Sequence, residues 1–174
     1  MRRKRALCIR REALCIRRYA GRLKLDLPNG SAAVFALDPR LQQDTLPIGD
    51  FPLCRLLLSN DSNYPWFILV PRLDGISEVF QLSVADQQRL WQETTALAQL
   101  LNEGMAAHKM NIGALGNVVS QLHVHVIVRK RDDAAWPAPV WGKHPAVPYS
   151  GEQVAAIRAR LRELLPADFN FVQD

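Results

Sequence analysis

The segment from Gln121 to Val128 alternates polar and apolar side chains with a period of two, which is the pattern of a half-buried β-strand. On one face stand Gln121, His123 and His125, and on the other stand Leu122, Val124 and Val126. Along an extended strand, the two histidines are expected about 7 Å apart. We therefore predict a sheet that packs its apolar face on a core and presents two imidazoles and an amide on its open face.

Local patterns predict the other elements. Asp38 and Pro39 are typical of a helix start, and apolar runs at 53–58 and 66–70 around polar turn residues indicate a hairpin. A long helix is predicted from Ser83 to Gly104, with an apolar face made of Val84, Leu90, Trp91, Thr94, Leu97, Ala98 and Leu101. Two more strands at 109–115 and 121–129 precede a helix from Ser150 to about Leu165. This order predicts an α+β fold, in which an antiparallel sheet is covered by the long helix and followed by a C-terminal helix.

The basic charge of the chain is concentrated at its N-terminus. Residues 1–24 hold ten Lys and Arg against one Glu, whereas the rest holds twelve basic and sixteen acidic residues, although the net charge is +5. Nucleic acid is therefore not an expected partner of the mildly acidic body. We predict a basic N-terminal extension over 1–33 that is disordered or not native to the protein. A catalytic domain over 34–136 and a Pro-rich strap with a C-terminal helix over 137–174 follow it.

Cysteine usage and hydropathy indicate the compartment. The three cysteines form no CxxC pair and no disulfide framework, which favours a reducing environment. No apolar run reaches the roughly 18 residues that a membrane-spanning helix needs. We predict a cytoplasmic protein without a membrane partner.

Two imidazoles on one face allow two kinds of chemistry. A neutral imidazole is a nucleophile and a proton carrier near pH 7, so one histidine can attack phosphorus while the other assists the departing group. Zinc binding is the rival interpretation, because His-x-His on a strand can supply two ligands. A catalytic zinc needs a third protein ligand, and the remaining histidines, His108 and His144, stand in no recognisable ligand spacing. We therefore predict that no metal is bound.

Further motifs surround the two histidines in a fixed order. The stretch Gln121-Leu122-His123-Val124-His125-Val126-Ile127 is preceded by Phe67-Ile68-Leu69-Val70-Pro71-Arg72, by Asn111-Ile112-Gly113 and by Gly116-Asn117. Over roughly a hundred residues, from about Phe35 to Trp136, the chain resembles the histidine-triad (HIT) hydrolase family, whose signature is His-φ-His-φ-His-φ-φ with φ apolar. The resemblance implies a HIT-like half-barrel, no metal or organic cofactor, and a homodimer formed through the long helix, where Trp91 lies.

The resemblance also implies a role for each residue of the signature. His123 is the nucleophile that attacks the α-phosphorus of a nucleotide and forms a nucleotidyl-histidine, which water then hydrolyses. His125 contacts the phosphate and helps the leaving group. Gln121 occupies the first signature position, where its amide can hold geometry but cannot titrate near neutral pH.

Loop residues are the predicted substrate contacts. By the resemblance, Asn111 and Asn117 orient phosphate or ribose, and backbone N–H groups around Gly116 stabilise the charge. Asn60, which follows a strand, either hydrogen-bonds a ribose or belongs to a plain turn.

The sequence thus predicts a nucleotide hydrolase or nucleotidyl transferase that acts on phosphoramidates or dinucleoside polyphosphates. Two alternatives stay open: a nucleotide-binding or regulatory protein on the same fold, with catalysis weakened by Gln121, and a zinc-dependent hydrolase. The presence of both His123 and His125 favours the enzyme, because binding alone does not need a nucleophile.

Overall fold

A computed structural model describes residues 35–173. Its strands are β1 (Thr45–Asp50), β2 (Cys54–Ser59), β3 (Trp66–Pro71), β4 (Lys109–Gly113), β5 (Val124–Arg129) and β6 (Asn170–Phe171). Its helices are α1 (Pro39–Asp44), α2 (Val84–Gly104) and α3 (Gly151–Leu164), with a short 3-10 turn at Val79–Gln81. The strands form one open sheet in the order β4-β5-β3-β2-β1-β6, and every neighbouring pair is antiparallel. The predicted α+β fold is confirmed.

The predicted hairpin is present at the centre of the sheet. β2 and β3 pair through contacts such as Leu56 opposite Leu69, and β3 then pairs with β5, where Ile68 lies opposite His125. The strand that contains His125 is therefore an inner strand, held between β3 and β4. An inner strand fixes its side chains more firmly than an edge strand, because its backbone is bonded on both sides.

Two strands were not expected from the sequence. β1 contains Pro47 and Gly49, residues that are depleted in strands, and its register against β2 shifts between them. Gly49 is required here, since a Cβ at this position would lie 2.4 Å from the carbonyl oxygen of Asn170 in β6. A two-residue strand such as β6 has too few residues to show an alternating pattern.

The long helix packs on the sheet as predicted, and Ser83 caps it by accepting a hydrogen bond from the backbone N–H of Asp86 at 3.1 Å. Its core face contains Leu90, Leu97 and Leu101. The apolar face predicted from the sequence was too wide, because Val84 and Trp91 are 71% and 59% exposed. Each helical residue turns the side chain by about 100°, so Trp91 points away from the face of its neighbour Leu90.

The C-terminal helix packs on the same core. Ser150 and Gln153 form the expected capping box at its start, and Leu161 and Leu165 are buried with the side chains of the sheet and α2.

The predicted limits of the three parts of the chain stay a prediction, and the basic extension over 1–33 lies outside the described residues. Among the described residues, no helix has the length and apolar character to span a membrane.

Candidate active site

The two signature histidines lie at the start of β5. The strand begins at Val124, so the prediction of a strand from Gln121 was wrong for its first three residues. The backbone N–H of Leu122 donates to the carbonyl of Ile76 at 2.9 Å, in the loop before the 3-10 turn. The rings of His123 and His125 contact each other, with ring centroids 4.9 Å apart and planes at 82°. Both side chains are buried.

The hydrogen bond of His123 fixes its tautomer. Its Nδ1 lies 2.7 Å from the backbone carbonyl oxygen of Gln121. A carbonyl oxygen can only accept, so Nδ1 holds the proton and donates. The Nε2 atom of neutral His123 therefore has a free lone pair, which is what a nucleophile requires.

The hydrogen bond of His125 selects the opposite tautomer. The indole N–H of Trp66 donates to Nδ1 of His125 at 2.9 Å, and an indole nitrogen can only donate. Nδ1 is therefore unprotonated, and the single ring proton lies on Nε2. Burial, followed by the nearby His123, lowers the pKa of His125 to about 3. At neutral pH, His125 is a neutral imidazole with one N–H to donate.

A cavity of about 490 Å³ opens beside these rings. This volume is within the range of roughly 300–1,000 Å³ that small-molecule sites occupy. The wall includes residues of α1, of β3, of the loop before β5 and of the strap: Arg40, Leu41, Asp44, Trp66, Leu115, Gly116, Asn117, Val118, Val119, His123, His125, Trp141 and Gly142. Gly116 has a φ of +71°, a conformation that glycine adopts without strain. The cavity thus combines apolar walls with a few polar groups, as small-molecule sites commonly do.

Of the predicted substrate contacts, the structure brings Gly116 and Asn117 to the cavity beside both histidines. Asn111 is not among the lining residues; its Oδ1 accepts from Nη1 of buried Arg129 at 2.6 Å. Asn60 is not among them either, and its Oδ1 accepts from the backbone N–H of Tyr149 at 3.0 Å. The amides of Asn111 and Asn60 thus hold the strand and the strap in place, and their role as substrate contacts stays a prediction without support from this geometry.

Sequence reasoning missed two groups of lining residues. Trp66 belongs to β3, and its contact with His125 depends on strand register, which the sequence does not reveal. Trp141 belongs to the strap, and its ring contacts both Trp66 and His125, at centroid distances of 5.9 and 5.6 Å. The short helix α1 adds Arg40, Leu41 and Asp44. The only signal for Trp66 and Trp141 is that large aromatic side chains are frequent in ligand sites.

Gln121 is placed outside the cavity lining, as a link to α1. Its Oε1 accepts from the backbone N–H of Asp38, and its Nε2 donates to the carbonyl of Ala36, both at 2.9 Å. Asp38 caps α1, whose residues form one wall of the cavity. The amide of Gln121 therefore fixes the chain segment 36–38 to the segment that contains the histidines.

We expect Gln121→Ala to lower the free energy of unfolding by about 1–3 kcal/mol, because it leaves a backbone donor and a backbone acceptor without their partners. Urea unfolding monitored by circular dichroism measures the change. Gln42→Ala is the matched control, since the exposed Gln42 amide also bonds this segment, at the carbonyl of Leu37. It is expected to cost less than about 1 kcal/mol. Equal losses from both substitutions would contradict the proposed link.

The side chains around the two histidines do not form a metal site within the described part of the chain. Within residues 35–173, no group of three or more His, Cys, Asp or Glu side chains is arranged to hold a metal ion. Glu93 and Cys54 form a buried titratable pair away from the histidines, and this pair is structural. The carboxylate of Glu93 accepts from the backbone N–H groups of Leu53 and Cys54, at 2.9 and 3.0 Å, and so joins α2 to the sheet.

The open antiparallel sheet and the paired imidazoles at the start of an inner strand define a histidine-triad domain. Residues 40–132 match the model of the HIT domain family, and the chain belongs to this family. No curated protein matches the chain significantly.

Solved structures agree with this assignment. The chain is similar to a histidine triad protein from Marinobacter aquaeolei VT8, with 50% identity, a TM-score of 0.75, and 76% of this chain and 97% of that chain covered. A histidine triad (HIT) protein from Sinorhizobium meliloti 1021 is 47% identical, with a TM-score of 0.75 and coverage of 78% and 100%. A histidine triad protein from Bradyrhizobium japonicum is 41% identical, with a TM-score of 0.73 and coverage of 75% and 98%.

Proposed function

We propose that this protein is a nucleotide hydrolase or nucleotidyl transferase of the histidine-triad type, with Gln121 at the first signature position. It acts at the α-phosphorus of nucleotide phosphoramidates or dinucleoside polyphosphates. The observation that supports this most directly is the pairing of tautomers: a free lone pair on Nε2 of His123 beside a neutral N–H donor on His125, both at one cavity.

In this proposal the reaction has two steps. Nε2 of His123 attacks the α-phosphorus, a P–N bond forms, and the bond to the leaving group breaks with its electron pair on the departing atom. The imidazole ring becomes positively charged, and the Nδ1–H bond to the carbonyl of Gln121 becomes stronger, since donors that are charged make stronger hydrogen bonds. Water then attacks phosphorus, loses its proton to solvent, and releases the nucleoside monophosphate from His123.

The other polar groups have supporting roles. The N–H of His125 and the backbone around Gly116 and Asn117 donate to phosphate oxygens whose charge grows in the transition state. The base and ribose occupy the part of the cavity that is lined by α1 and the tryptophans. The proposal requires no metal and no organic cofactor.

The homodimer that the resemblance implies is part of the proposal. Val84 and Trp91 on α2, and Phe80 before it, are exposed large apolar side chains on or next to that helix. Exposed apolar side chains of this kind are typical of surfaces that bind another protein. The cytoplasmic location also stays a prediction.

We expect EDTA to leave turnover unchanged within about twofold, because the nucleophile is an imidazole that needs no metal ion to activate it. The measurement is a metal-free screen of nucleoside phosphoramidates and dinucleoside polyphosphates, with and without chelator, followed by chromatography of the released nucleotide. Loss of turnover with EDTA, restored by zinc, would support the zinc-dependent hydrolase instead. Tight nucleotide binding without turnover would support the regulatory alternative.

A further inference from the structure

The rings of two tryptophans contact His125. Trp66 and Trp141 contact its ring at centroid distances of 5.3 and 5.6 Å, both nearly edge to face. The two indole N–H groups differ in their use. That of Trp66 donates to Nδ1 of His125, whereas that of Trp141 is buried and has no hydrogen-bond partner among residues 35–173.

The bond from Trp66 restricts what His125 can do during catalysis. A histidine acts as a general acid when both ring nitrogens hold protons and one proton is given away. A second proton on His125 would have to enter at Nδ1, where the indole N–H of Trp66 already points. Two N–H groups cannot face each other at this distance, so protonation requires Trp66 to move. Burial, followed by the charge of a protonated His123, acts in the same direction by lowering the pKa of His125.

We propose that Trp66 holds His125 as a neutral hydrogen-bond donor, and that the site therefore selects substrates whose leaving group departs as a stable anion. This inference rests on the proposed function, and it names the substrate class. In an acid anhydride, such as a dinucleoside polyphosphate, the P–O bond breaks and the electron pair stays on a phosphate oxygen that needs no proton. In a phosphoramidate, the P–N bond breaks and the amine must gain a proton as it leaves.

Neither histidine has a proton to give to an amine. His123 attacks through Nε2, and its Nδ1 proton is bonded to the carbonyl of Gln121, facing away from the phosphorus. The Nε2 proton of His125 can be shared with a phosphate oxygen, but its removal would leave an imidazolate, which is far too basic near neutral pH. Trp66 is thus a positioning residue that acts through His125, and it sets the preference for anhydrides.

The tautomer is tested by NMR of protein labelled with 15N in its histidines, which does not depend on turnover. The spectra of wild type and His125→Gln identify the His125 signals. We expect protonated Nε2 and unprotonated Nδ1 from pH 5 to pH 9 in the wild type. A proton on Nδ1, or titration of His125 near pH 6.5, would overturn the proposal.

The leaving-group preference is tested by the ratio of kcat/KM for a dinucleoside polyphosphate to kcat/KM for a phosphoramidate of the same nucleoside. We expect the wild type to favour the anhydride by at least about a hundredfold, because a general acid usually raises the rate by at least that factor and the phosphoramidate would react without one. Trp66→Phe keeps an aromatic ring but removes the N–H, and should reduce the ratio about tenfold, the effect of one hydrogen bond. Trp141→Phe, which removes an indole N–H without a partner, should keep the ratio within about threefold.

Three results would count against the preference. Equal wild-type kcat/KM values on the two substrates would overturn it, and so would a Trp66→Phe variant that loses activity on both with an unchanged ratio, because Trp66 would then only support the structure. Absence of turnover on both substrates would overturn the proposed function, and with it the preference. The assignment of the His125 tautomer would still be decided by the NMR spectra alone.

Discussion

His123→Ala is expected to reduce turnover by at least about 10⁵-fold, because it removes the atom that would bond to phosphorus, and with it the covalent route. The measurement is single-turnover kinetics on a dinucleoside polyphosphate, together with mass spectrometry of reactions quenched without acid. The wild type should show a nucleotidyl adduct on the peptide that contains His123, and the variant should show none.

Two further substitutions, one at the second signature histidine and one outside the cavity, are compared with His123→Ala. His125→Ala removes a hydrogen-bond donor and should cost about 10²–10³-fold, with the adduct still detectable. His144→Ala is the matched control, since its ring contacts the carbonyl of Ala134 and is not among the residues that line the cavity. It should leave kcat unchanged. An adduct on His125, or equal losses from both signature histidines without an adduct, would contradict the assigned nucleophile.

Acidification is expected to destabilise the fold through His125. In the folded chain its pKa is about 3, whereas the unfolded chain has the ordinary value of 6.5. Between these two pH values the unfolded state binds the proton and the folded state does not, so the free energy of unfolding falls as pH falls. The slope is about 1.4 kcal/mol per pH unit at most, and the free energy of unfolding should fall by about 2 kcal/mol between pH 6.5 and pH 4.5.

Urea unfolding at several pH values measures this dependence. Asp133 adds its own dependence at more acidic pH, because its pKa, although raised by burial, is lowered overall by its bonds to Arg129 and to neighbouring backbone. The comparison with His125→Asn isolates the histidine, because an amide does not titrate but can still accept the bond from Trp66. The wild-type curve should fall more steeply than that of the variant below pH 6.5. Parallel curves would contradict this, because they would show that His125 takes up its proton at the same pH in the folded and unfolded states.

The elements with long or capped patterns were predictable from the sequence. The hairpin of β2 and β3, the helix that begins after Ser83 and the helix with the Ser150 capping box all form as expected. Each of them is specified locally, by alternation, by helical spacing or by a cap. The proximity of the two imidazoles was also predictable, because side chains two residues apart in an extended segment point to the same face.

The rest depends on contacts between distant segments. The tautomer of His125 is fixed by Trp66, which lies 59 residues earlier, and only the antiparallel register of β3 and β5 brings them together. Asn111 and Asn60 had the right polarity for substrate contacts, yet their amides bond Arg129 and Tyr149. A residue type shows which bonds a side chain can make, whereas the fold determines which partner it reaches.

The position of Gln121 has a consequence for how the site responds to its ligand. Its backbone carbonyl accepts from His123, and its side chain bonds the segment that leads into α1, so one residue connects His123 to a wall of the cavity. Under the proposed function, a poorly fitting substrate that displaces α1 would also change the direction of the His123 lone pair. Selectivity would then arise in the rate of bond formation as well as in affinity.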